Sequence, residues 1–125
     1  MVAGCCFCVS KEIMDVIGKL DDNIFLYYEE DALAQIIYKL NKKCILNPNA
    51  KIIHLGTQTI TNSPFSCFSR YKSALYVLFR YCGAKKSDLR LIFLIYFLSL
   101  LTKSIKNKEY FTKAMELKHF FNKLK

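Results

Sequence analysis

The sequence predicts an α/β fold with short strands, followed by a C-terminal helical extension. Two observations carry this reading. Across residues 1–69, brief apolar runs with β-branched members alternate with stretches of helical spacing, and Gly, Pro, Asn and Asp separate them. After Phe68 the composition turns aromatic, basic and helical in period. The expected organisation is a domain over residues 1–69 and a basic, aromatic helical extension over residues 70–125.

The elements follow in chain order. Val2 to Val9 has the length and composition of a buried strand, with Cys5, Cys6 and Cys8 facing inward. Ser10 can cap the segment Lys11–Ile17, since its hydroxyl can accept an orphan N–H of the first turn; Gly18 can close that helix. Asp21-Asp22-Asn23 is a turn cluster. From Glu29 to Leu40, Leu33, Ile36, Ile37 and Leu40 recur at helical spacing, so Glu29-Glu30-Asp31 sits at a helix N-terminus, where negative charge is favoured. Cys44 to Leu46 and Lys51 to His54 are strand candidates around the turn Asn47-Pro48-Asn49. Leu55 to Ser69 reads as a polar loop. Tyr71 to Tyr81, Leu89 to Ile105 and Asn107 to Lys125 read as helices. The apolar run from Leu91 to Leu101 falls short of the ~20 residues needed to span a bilayer, which makes it a buried or interfacial helix.

Composition narrows the class. At 53% hydrophobic and 23% charged, the chain is neither disordered nor collagen-like. The segment Met1 to Cys8 lacks the basic start of a signal peptide, so the six cysteines are expected as reduced cytosolic thiols; their C-C-x-C spacing is not a zinc pattern. Charge is uneven. Residues 1–69 hold six Lys/Arg and seven Asp/Glu, whereas residues 70–125 hold thirteen and three. That excess suits an anionic surface. No helix-turn-helix, RRM or zinc-finger signature accompanies it, so nucleic acid is not the expected partner.

The order of motifs adds a family resemblance. Gly4-Cys5-Cys6, Ser10-Lys11-Glu12, Gly18-Lys19-Leu20-Asp21-Asp22, Phe25-Leu26-Tyr27-Tyr28-Glu29-Glu30, Leu33, Pro48-Asn49-Ala50 and His54-Leu55-Gly56 occur in sequence. This series resembles the C-terminal half of family 2 glycosyltransferases of the rhamnosyltransferase-like branch, over roughly residues 3 to 80. The resemblance implies the acceptor-side half of a GT-A, Rossmann-like domain. It implies inverting transfer of a sugar from a nucleotide diphosphate sugar to an acceptor hydroxyl, in cell-surface polysaccharide synthesis. In the whole family a divalent metal, Mn or Mg, accompanies the donor and is held by an Asp-x-Asp that this sequence lacks. The chain is therefore expected to be incomplete alone, as a truncated or split transferase or with the nucleotide-binding half on another chain; the alternative is a non-catalytic basic module for a membrane surface, or a companion subunit. The expected location is cytoplasmic, at the inner face of a membrane bearing a saccharide or lipid-linked acceptor.

Residue roles carry over by position. Glu30 matches the family's base, a carboxylate that can take the acceptor proton. Glu29 matches the preceding acid, and Asp31 falls at a variable position. The family's next acid falls on Ala32, a frequent Arg falls on Ile36, and a second Gly falls on Thr57. His54 corresponds to a histidine beside the donor diphosphate and metal, and imidazole suits either contact. Gln58, Thr59 and Arg70 are candidate phosphate contacts. Each has a plainer reading: a favourable helix-start charge cluster, a strand-end histidine and ordinary loop polarity. Packing helices with solvated charged faces are the plainer reading of the tail.

Overall fold

The computed structural model describes residues 6–54 and 63–124. Five helices follow one another: α1 (Lys11–Ile17), α2 (Glu29–Lys39), α3 (Pro64–Arg80), α4 (Lys86–Ser104) and α5 (Glu109–Lys123). No strand occurs among the described residues, which corrects the expected α/β, GT-A-like architecture.

The helix starts obey local chemistry. The Ser10 hydroxyl accepts from Ile13 N–H at 3.4 Å, and Gly18 takes φ 79° at the other end of α1. α3 begins with a reciprocal cap: Ser63 Oγ accepts from Ser66 N–H and Ser66 Oγ from Ser63 N–H, both at 3.1 Å, with Pro64 at the first helical position. This start lies ahead of the expected one at Tyr71, inside the segment read as loop. The serines of that segment are capping and buried helix residues: Ser63 caps, and Ser66 and Ser69 are buried. Asp88 accepts from Lys85 N–H at 3.2 Å to start α4.

α3, α4 and α5 each pack on the other two. Side-chain contacts fix their directions. Lys86 at the start of α4 donates to the carbonyls of Asn122 and Leu124 at the end of α5. Lys103 near the end of α4 donates to Cys67 Sγ near the start of α3. The bundle thus runs up, down and up, as its short connections favour. Leu75, Leu89, Leu100, Ala114, Leu117, Phe121 and Leu124 form its core. Phe93 stacks on Phe121 at 4.3 Å and Tyr71 on Tyr96 at 4.2 Å between centroids.

Residues 21–39 lie against the outside of α3. Ile24 and Ala32 bury against Val77, and Ser73 Oγ donates to the Leu26 carbonyl at 2.8 Å. Lys39 Nζ donates to the Tyr81 carbonyl at 2.8 Å. The 69/70 position, where the composition changes, falls within α3.

The expected strands fail for one physical reason: a strand needs a ladder partner for its backbone groups and cover for one face. Residues 44–46 and 51–54 are irregular and have neither. Ile45 is 87% exposed and Ile53 90% exposed. The turn between them is nonetheless formed, with Asn49 N–H donating to Asn47 Oδ1 at 3.0 Å. Cys6 and Cys8, expected inside a strand, are exposed; Cys5 lies outside the described residues. Cys6, Cys8, Cys44, Cys67 and Cys82 are free thiols.

Leu75 and Leu100 are fully buried in the bundle core. Leu75→Ala or Leu100→Ala should therefore lower stability by about 2–5 kcal/mol. Leu91→Ala, on the open side of α4, should change it by less than about 0.5 kcal/mol. Urea denaturation followed by circular dichroism measures both.

Candidate active site

The acidic triplet stands at the first turn of α2, as its spacing predicts. The approach to it is unusual. Tyr27 and Tyr28 both have positive φ, 66° and 68°, and Tyr28 is the left-handed residue that precedes the helix. For non-glycine residues this conformation costs roughly 1–2 kcal/mol each. Such strain persists only where surrounding contacts hold it, and it concentrates at functional sites. The holding contacts are visible. The Arg70 guanidinium lies 4.8 Å from the centre of the Tyr27 ring, Tyr28 packs on the Ile24–Ala32–Val77 cluster, and Ser73 ties the Leu26 carbonyl.

Glu29 and Glu30 each carry one carboxylate oxygen, Oε2, that is shielded from solvent and has no hydrogen-bond partner among the described residues. Buried polar atoms are nearly always partnered, so two such oxygens on adjacent residues call for an explanation. Helix-start electrostatics favours their charge without satisfying their lone pairs. Burial, and then the neighbouring Glu30 charge, push the Asp31 carboxyl above its usual range.

Glu29 borders a cleft of about 220 Å³ between α2 and the segment that leads to it from α1, which Lys19, Asp21 and Tyr81 also line; Ile24, Ala32 and Ile36 supply part of its apolar wall. Asp21 is the best-supported polar group there. It accepts from Tyr81 Oη at 2.7 Å, Tyr76 Oη at 2.8 Å, and the backbone and side-chain nitrogens of Asn23 at 2.9 and 2.8 Å. Burial opposes its ionisation, but these donated bonds together outweigh that and hold its carboxyl down at about 2. The same arrangement pushes the Tyr76 and Tyr81 phenols up, first through burial and then through Asp21. The sequence marks Asp21 only as a turn residue. Its partners lie 55 and 60 positions away, and nothing local in the chain announces them.

Ala32, where the resembled family has an acid, is 4% exposed against Val77; a carboxylate there would be desolvated, so the departure agrees with this packing. Arg70 is engaged with Tyr27, close to the triplet's lead-in rather than at a phosphate-binding loop. His54 is exposed in an irregular segment. Gln58 and Thr59 lie outside the described residues. Among the described residues no group of three or more His, Cys, Asp or Glu could hold a metal ion.

Compared with models of protein families, with curated proteins and with solved structures, the chain matches none. No described helix is long and apolar enough to cross a membrane.

The Asp21 network sets a pH dependence. The carboxyl sits at about 2 in the fold against 3.8 ordinarily, so its contribution is complete above about pH 4. It is lost as pH falls toward 2, because the unfolded chain binds the proton first. With solvent screening, it amounts to about 1 kcal/mol. Asp21→Asn should reduce stability by that amount at pH 7 and flatten its decline between about pH 4 and 2. Asp31→Asn should act in the opposite sense and raise the melting temperature slightly, since it removes a carboxylate whose charged form the fold disfavours. Urea titrations at stepped pH measure the first, and thermal melts at pH 7 the second.

Proposed function

We propose that this chain is the acceptor-binding portion of a glycosyltransferase that uses a nucleotide diphosphate sugar, and that it acts with a separate nucleotide-binding portion. The observation that supports this best is the Glu29–Glu30 pair: two adjacent carboxylates, each with a solvent-shielded oxygen lacking a partner, set at a helix start behind two strained tyrosines. Saccharide hydroxyls are the donors such oxygens would accept from. The motif order through Phe25-Leu26-Tyr27-Tyr28-Glu29-Glu30 supplies the chemical class.

In this reading Glu29, at the cleft, holds an acceptor hydroxyl, and Glu30 is the base. As the acceptor oxygen attacks the anomeric carbon, its proton passes to the Glu30 carboxylate. The bond from that carbon to the diphosphate breaks, the diphosphate leaves with the electron pair, and the anomeric configuration inverts. Divalent metal and nucleotide would be held by the partner portion. The reading concerns the acid pair and its chemistry and carries no α/β architecture with it.

Two experiments test it. On an array of rhamnose-, glucose- and galactose-terminated saccharides, the chain should bind one class of terminus. Glu29→Gln and Glu30→Gln should each weaken that binding by about tenfold, the scale of a lost hydrogen bond to a charged group. Both variants should melt at most slightly below the parent, because only the helix-start charge is lost and neither carboxylate oxygen in question has a protein partner. Failure to bind any saccharide, or binding indifferent to both substitutions, would refute the proposal. With UDP- or dTDP-sugars and manganese, the chain alone should give no transfer; turnover by the isolated chain would overturn the division between two portions.

A further inference from the structure

We infer that the outward face of α4 is a docking surface for an anionic lipid bilayer, on which the bundle lies with α4 parallel to the membrane plane. α4 is apolar nearly all round, whereas a helix on a bundle surface is normally polar on its outer side. One face, with Leu89 and Leu100 fully buried, packs into the core. The other carries Leu91, Leu94, Ile95 and Leu98, which recur at helical spacing and remain 47–67% exposed. Ile105, just beyond the helix, extends the stripe and is 86% exposed. Contiguous exposed apolar surface of this kind marks an interaction site rather than scattered surface leucines.

Charge selects the occupant. From Leu89 to Lys108 the chain has no acid and has four cations, Arg90, Lys103, Lys106 and Lys108. Lys103 turns inward to Cys67. Arg90 near the start of the stripe, and Lys106 and Lys108 past its end, are exposed, as is Lys85 just before the helix. None of these four has an ion pair among the described residues. An apolar stripe with cations at both ends suits a helix whose side chains enter the acyl boundary while Lys and Arg meet anionic headgroups. A second copy of the chain is a poorer occupant, because pairing two such stripes brings cation-rich ends together with few acids to offset them. Depth fits as well: no described helix can cross a membrane, so surface attachment is the geometry available.

This inference stands apart from the sugar-transfer reading, and its test involves neither donor nor acceptor. The full chain is mixed with phosphatidylcholine vesicles, with or without roughly 30% phosphatidylglycerol, and separated by flotation at low and high salt. Flotation with the anionic vesicles, weakened by salt and lost by about tenfold or more in Leu91→Glu/Ile95→Glu, is expected. Arg90→Gln/Lys106→Gln should weaken binding and reduce its salt sensitivity without altering the apolar face. Circular dichroism and urea midpoints matching the parent establish that both variants are folded. Three results would overturn the inference: no flotation with anionic vesicles; flotation that neither variant changes; or a concentration-dependent dimer that Leu91→Glu/Ile95→Glu disrupts while vesicle binding is absent.

Discussion

The Asp21 carboxylate accepts hydrogen bonds from two phenols on or just after α3 and from the amide of its own turn. Much else follows from that anchorage. It fixes the end of the turn from which residues 24–28 run along α3, so that Ile24 can bury with Ala32 against Val77. With that strip in place, Ser73 captures the Leu26 carbonyl and Arg70 covers Tyr27. Two consecutive left-handed tyrosines become tolerable only under such restraint, and they aim the first turn of α2. The acid pair is therefore positioned by contacts made many residues away from it, and no property of the triplet itself produces that position.

Helices were legible in the sequence wherever their ends carry their own chemistry. Ser10 and Gly18 bound α1, and the spacing of Leu33, Ile36 and Ile37 marks α2; both are local signals that survive in any context. The same logic applied to Ser63-Pro64 would have found the true start of α3, because Pro at the first helical position after a serine cap is a start signal. The serines that follow outweighed it as apparent loop composition. The strands failed differently. Ile45-Leu46 and Ile52-Ile53 have strand-like side chains, but β-structure is completed by a partner, and no run of residues can report whether its partner is present. The exposed side chains there are the physical record of that missing pairing.

The candidate site was legible in part. The triplet's place at a helix start could be read from spacing. Its shielded oxygens, the strained tyrosines and the Asp21 network could not, because each depends on contacts between residues distant in the chain. Ala32 reads differently in the chain and in the fold. It looks like the erosion of a motif in the sequence, yet it occupies a packed position against Val77 where a carboxylate would lack water.

The difference in sequence separation between the two sets of anchoring contacts has a consequence for how the molecule assembles. The bundle closes in large part through neighbours in the chain: Lys86 reaches Asn122 and Leu124 across fewer than forty residues, and α4 packs on both α3 and α5, which also meet each other. The acid-bearing strip is secured across intervals of 42 to 60 residues by a few hydrogen bonds and a small apolar cluster. Contacts that close short loops form readily, whereas those that close long loops must wait for a surface to dock on. α3 is that surface. Held by so few contacts, the strip is expected to come away at lower cost than the bundle unfolds, and amide exchange along residues 21–39 would be governed by detachment from α3 rather than by melting of the bundle.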